Sequence, residues 1–267
     1  MSFLELLVDP MFRTPLAVGA VLAPAMALVG AYLRLREEWL AALAWTQVAA
    51  AGAVLAAAAH IPVLPGAIAT ALLAAGAKGM LRRVGNDHFA LLMGLSWGVT
   101  LLGAGFCPHG EHMARVLLDG QLYFVGRDHL VMVTVLVVAG AATHGWLSRR
   151  LLITRLFPDL FSASGLSTRS HLVAFDLLAV LAIALATTAM GVMATFMLVL
   201  VPPWVAWRHA SGWRATLVLS AGLAAGAYLA AFVLALAVDQ PFGPVLVVIL
   251  ALLAAARLLP PGLSRQR

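Results

Sequence analysis

Apolar runs, most of them about twenty residues long, alternate with short polar connections along the chain. The runs fall near 15–33, 39–59, 62–81, 89–106, 129–147, 172–190, 192–207, 213–237 and 244–258. A helix needs about 20 mostly apolar residues to cross a bilayer. The pattern therefore predicts an all-α, polytopic transmembrane bundle of eight or nine spans. The run 192–207 decides between those numbers, because it is short and broken by Pro202 and Pro203. An interrupted span is tolerated only where protein or a cavity surrounds it. The longest connections are 107–128 and 148–171, too short for a soluble domain, so 1–267 reads as a single transmembrane domain.

Lys and Arg orient such a bundle, since cytoplasmic connections carry an excess of them. With the first connection placed inside, Arg34, Arg36, Lys78, Arg82, Arg83, Arg149, Arg150, Arg155, Arg169, Arg208, Arg214, Arg257, Arg265 and Arg267 all fall in the cytoplasm. Only Arg13, Arg115 and Arg127 of the 17 basic residues stay outside. The alternation holds at every connection if 192–207 crosses. It predicts an external N-terminus, an internal C-terminus and a cytoplasmic 157–171. No removable signal peptide is expected.

Composition sharpens the class. With 63% hydrophobic and 10% charged residues, a soluble domain would expose large apolar patches. The net charge of +6 does not indicate nucleic acid, because the basic residues sit between apolar runs and form no stripe. One cysteine, Cys107, precludes an intrachain disulfide. Abundant Ala and Gly let helices approach closely and predict a compact bundle. No nucleotide-binding motif, Ser/His/Asp arrangement or HExxH is present, so the chain is expected to be neither an ATPase nor another enzyme.

The polar stretch "FPDLFSASGLSTRSH" at 157–171 follows the basic cluster "RRLLITR". Pro158 opens a short helix, Leu160 and Phe161 give it an apolar face, and Gly165 permits a sharp exit. Such an element either lies on lipid or docks into a groove on a cytoplasmic partner.

From "PDLFSASGLSTRSH" through "VPPWVAWR" the sequence resembles the C-terminal half of the ABC-3 family, the permeases of bacterial zinc, manganese and iron ABC importers. Gly191, Pro202 and Arg208 fall on family positions. "LLDGQLYFVGRDHL" at 117–130, with Gly120, and "VDQPFGP" at 238–244, with Asp239, Pro241, Gly243 and Pro244, are similar to two further family stretches. The resemblance runs from about 13 to 255. It implies a homodimer in the bacterial inner membrane, fed by an extracytoplasmic substrate-binding protein. It also implies that 157–170 is the coupling helix for a cytoplasmic ATPase subunit, with contacts from Pro158, Asp159, Leu160, Phe161 and Gly165. ATP would sit on that partner, and this chain would bind no cofactor.

The second span departs from the family. Where the family has an Asp and a His on the metal path, this chain has Leu43 and Gln47. They are one helical turn apart and face one way, but Leu binds no cation and Gln offers one neutral carbonyl. A divalent ion stripped of water needs carboxylate, thiolate or imidazole ligands. The cargo is therefore a metal chelate, or a metal ion held by other residues. Trp45, next to Gln47, is a candidate for narrowing the path. "CPHGEH" at 107–112 sets Cys107, His109 and His112 in an external connection, as a metal site or as a solvated polar loop. Asp176 is the clearest carboxylate inside a span, a substrate-path candidate by default or the partner of an Arg near the cytoplasmic boundary. Met190, Met193 and Met197 are spaced for one helical face, which suits packing or a soft metal. His88, His171 and His209 read as headgroup or partner contacts, His60 as an interface residue and His144 as a structural hydrogen bonder. Two rival functions remain: a transport-inactive scaffold or regulatory subunit, and a secondary transporter.

Overall fold

The computed structural model describes residues 10–81, 84–106, 117, 120, 122–157, 168–255 and 257. The described residues contain nine α-helices and no strand: α1 (Pro10–Leu35), α2 (Leu40–Ala58), α3 (Val63–Met80), α4 (Asn86–Gly105), α5 (Arg127–Leu156), α6 (Thr168–Met190), α7 (Val192–His209), α8 (Trp213–Ala237) and α9 (Phe242–Ala255), with a 3₁₀ turn at Leu122–Phe124 before α5. Seven of them, all but α7 and α9, are long and apolar enough to cross a membrane. The all-helical expectation holds, and each predicted run coincides with a helix.

Small residues set the packing. The buried part of α2 is largely alanine (Ala41, Ala42, Ala44, Ala49, Ala53), so neighbouring helices close in around it. Helices α3, α4, α6 and α7 all pack against it. By contrast α5 is mostly exposed, with outward-facing Val131, Val135 and Val138, as a lipid-facing or partner-facing helix would be.

The helix ends follow local chemistry. α5 continues through Leu156, well past the predicted limit of 147, because no breaker occurs before Pro158. Proline disfavours helical geometry in the residue before it, and Phe157 has already left the helix at φ −136° and ψ 65°. Thirty residues make α5 about 45 Å long, enough to carry Arg149, Arg150 and Arg155 beyond a hydrocarbon core of about 30 Å.

α7 shows how a proline-interrupted helix is accommodated. Pro203 has no N–H, so the carbonyl of Val199, four residues earlier, loses its intrahelical donor. That carbonyl is pressed against Gly30 of α1, where an added Cβ would lie 1.8 Å from the Val199 oxygen. Only glycine permits this approach. Val192, Ala194, Leu198, Val199 and Val201 are buried around it, so α7 runs through protein as the sequence requires. Gly30→Val is expected to cost about 1–3 kcal/mol through overpacking, read as a lowered thermal midpoint in detergent.

α6 and α7 are separated by one residue, Gly191, at φ 90°. Gly120, also left-handed at φ 79°, packs on this break; a Cβ there would meet the Met190 carbonyl at 2.2 Å. The break removes the proposed methionine stripe. Met190 ends α6 fully buried, whereas Met193 belongs to α7 and is 45% exposed, so the two share no helical face.

Candidate functional site

Leu43 and Gln47 lie one turn apart on α2, Leu43 half-buried and Gln47 buried. Neither supplies a charge. Trp45 projects from the opposite face, because two residues correspond to about 200° around a helix. It is fully buried, edge-on to Phe89 of α4 at 5.9 Å between ring centres. Trp45 therefore packs between helices, on the other side of α2 from Leu43 and Gln47.

Trp45 and Phe89 together cover the ammonium of Lys78, which lies 5.2 Å and 5.4 Å from their ring centres. Lys78 belongs to a closed ring of four charges. Arg36 Nη1 is 2.7 Å from Asp176 Oδ1, and Lys78 Nζ is 2.8 Å from Asp176 Oδ2. Glu38 Oε2 completes the ring, 3.0 Å from Arg36 and 2.7 Å from Lys78. Arg36 also lies over Phe175, 5.2 Å from its centre. All four side chains are 6–17% exposed. Two cations and two carboxylates alternate, so the ring is neutral and every charge has two opposite neighbours. That arrangement is what makes ionic groups tolerable away from water. The ring joins the turn between α1 and α2 to the end of α3 and the early part of α6. A cleft of about 390 Å³ opens beside it, lined also by Met80, Leu81, Val84 and Leu172.

The structure thus places Asp176 in ion pairs with an Arg and a Lys. Glu38 and Lys78 were not singled out from sequence as part of any site. In the sequence Arg36 and Lys78 mark only the orientation, because their shared partner Asp176 stands 140 and 98 positions away and leaves no local signal.

Neighbouring contacts extend this end of the bundle. Arg155, at the end of α5, pairs with Glu37 in the α1–α2 turn. Asn86, the first residue of α4, donates to the Glu37 carbonyl at 3.2 Å and accepts from the Leu40 amide at 3.4 Å. His171, expected as a headgroup or partner contact, is instead fully buried, its Nε2 3.0 Å from Thr154 Oγ1. The reason is the added length of α5, which brings Thr154 alongside α6. His129, given no role from sequence, joins the other end of α5 to α6 through Thr188 Oγ1 at 3.2 Å. His144 sits edge-on to Tyr32, 6.5 Å between ring centres.

The opposite end is closed by aromatic packing. Tyr123 meets Phe12 and Phe232, and Tyr228 meets Phe232 and Phe242, with ring centres 5.5–5.9 Å apart. Tyr228 Oη donates to the Pro15 carbonyl at 3.0 Å. Burial pushes the Tyr123 phenol up to about 12, so it is neutral at physiological pH.

Cys107, His109 and His112 lie outside the described residues, as do Pro158, Asp159, Leu160, Phe161 and Gly165. Among the described residues no three His, Cys, Asp or Glu side chains come together as a metal site.

The family model described as "ABC 3 transport family" matches residues 8–259. Two solved structures are similar. PsaBC from Streptococcus pneumoniae, in complex with Fab, aligns with a TM-score of 0.83 at 17% identity, covering 99% of this chain and 97% of that one. A metal-chelate type ABC transporter in an inward-facing conformation aligns with a TM-score of 0.67 at 18% identity, covering 93% and 84%. At these identities the likeness establishes the fold. A comparison with curated protein sequences gives no match.

Proposed function

Since the chain belongs to the ABC 3 transport family, we propose that it is the membrane permease subunit of an ATP-binding-cassette importer whose cargo is a divalent metal ion or a metal chelate. The observation that carries this is the agreement of family and fold over nearly the whole chain. The second of the two similar structures, named as a metal-chelate type ABC transporter, favours a metal-linked cargo. Of those two cargoes, α2 favours the chelate. Leu43 and buried Gln47 present no carboxylate or imidazole, whereas a chelated metal keeps its own ligands and asks the protein only for shape and hydrogen bonds.

In this reading two copies form a homodimer around the path in the bacterial inner membrane. An extracytoplasmic binding protein delivers cargo, and each copy docks a cytoplasmic ATPase subunit through 157–170. ATP is bound and hydrolysed on that subunit. The N-terminus faces outward and the basic connections face the cytoplasm. A transport-inactive scaffold derived from such a permease is the competing reading, motivated by the missing Asp and His on α2.

A tagged pull-down from native membranes tests the proposal. Copurification of an ATP-binding-cassette subunit and a substrate-binding protein is expected; a complex without an ATPase would contradict it. Gln47→Ala is expected to lower uptake severalfold and Gln47→His to shift preference toward the free ion, measured by competition between metal and chelate. If neither change has an effect, position 47 is off the path.

A further inference from the structure

Resting on the permease reading, we propose that the Arg36–Asp176–Lys78–Glu38 ring is a transmission joint, through which movement of α6 is passed to α2 and α3. Three features of the geometry support it. The first is position. α6 begins at Thr168, inside segment 157–170, and Asp176 lies only about 12 Å along that helix from Thr168. A displacement of the start of α6 therefore reaches Asp176 before it reaches the middle of the bundle.

The second is what Asp176 grips. Each of its carboxylate oxygens holds a different element, Oδ1 the α1–α2 turn through Arg36 and Oδ2 the end of α3 through Lys78. Arg36 and Glu38 lie in the short turn that leads directly into α2, which carries Leu43 and Gln47. Lys78 rests on Trp45 of α2 and Phe89 of α4. Drawing Lys78 away would uncover those rings and loosen the contact between α2 and α4. Apolar surfaces can slide past one another, but ion pairs with low solvent exposure are directional and are either made or broken. That gives the joint two discrete arrangements, as a coupling element requires.

The third is room to move. The cleft of about 390 Å³ borders all four charges, so α3 and α6 can shift against each other there without meeting a packed wall. A purely static staple would need no such space.

The test clamps α3 to α6 while leaving all four charges in place. A Cβ added at Gly79 would lie 3.5 Å from Val173 Cγ2, so cysteines at these two positions would touch through their side chains, the first requirement for a disulfide. Gly79→Cys/Val173→Cys, in a Cys107→Ser background, is reconstituted into liposomes with the partner ATPase. ATP hydrolysis is measured before and after oxidation, and the rate of disulfide formation is compared between the nucleotide-free and the ATP–vanadate states. The joint predicts that the closed disulfide slows hydrolysis about tenfold, because turnover requires a conformational step that a clamped α3–α6 pair holds back, and that reduction restores it. It also predicts that the disulfide forms several times faster in one nucleotide state than in the other. Unchanged hydrolysis after complete oxidation, with equal rates of bond formation in both states, would overturn the joint alone. Failure of the unsubstituted chain to assemble with any ATPase would overturn the permease reading, and the joint with it. If the double variant does not assemble, hydrogen exchange of the unsubstituted complex supplies the second measurement. Amides of 78–81 and 172–176 should change protection on vanadate trapping, and identical protection would overturn the joint.

Discussion

Gly165→Trp is expected to lower uptake at least tenfold while the protein still purifies as a stable bundle. On the permease reading, residues 157–170 receive the ATPase, and Gly165 was assigned the exit of that element because glycine alone turns sharply at no steric cost. An indole there occupies the space a partner groove would fill. The loss of about 1.4 kcal/mol or more of coupling free energy corresponds to a tenfold change. ATP hydrolysis by the associated subunit should persist but lose its response to the binding protein. The measurement is uptake beside hydrolysis in the same proteoliposomes. Loss of both together with loss of the folded bundle would indicate a structural role, and normal uptake would remove the docking assignment.

Asp176→Leu is expected to destabilise the bundle by about 3–5 kcal/mol, the usual cost of removing one partner from a buried ionic group. Arg36 and Lys78 would then share a single carboxylate, Glu38, with only 10% and 11% of their side chains exposed to any solvent. The double change Asp176→Leu/Lys78→Leu should recover most of that loss. It leaves a neutral Arg36–Glu38 pair and fills the vacated space with apolar groups. Thermal midpoints in detergent distinguish the two cases. Equal midpoints for the single and double variants would mean that the four charges do not act as a unit.

Element positions were legible in the sequence because lipid imposes a one-dimensional rule: a long apolar run must be a helix. The run near 129–147 coincides with α5 but stops short of its end, since hydropathy falls at Arg149 although helical geometry continues through Leu156. The methionine stripe failed because equal spacing implies one face only within one unbroken helix, and Gly191 at φ 90° breaks it. Trp45 was placed by its nearness in sequence to Gln47, whereas helical rotation sends it to the other side. The ring around Asp176 was half legible. A carboxylate near a span end calls for a cation, but which cation is fixed by packing among α1, α3 and α6, and a single sequence carries no record of that. The replacement of Asp and His by Leu43 and Gln47 was visible only beside the family pattern, and it is the feature that most shapes the cargo assignment.

The central claim, that 157–170 faces the cytoplasm and takes the push of an ATPase, is open to one direct measurement. Ser164→Cys in a Cys107→Ser background places a lone thiol in that segment, and a membrane-impermeant maleimide is applied to intact cells, to inside-out vesicles, and to vesicles with the ATPase bound. The account predicts labelling only from the cytoplasmic side, and strong protection when the ATPase is present. Labelling from outside the cell, or cytoplasmic labelling that the ATPase leaves unchanged, would contradict it.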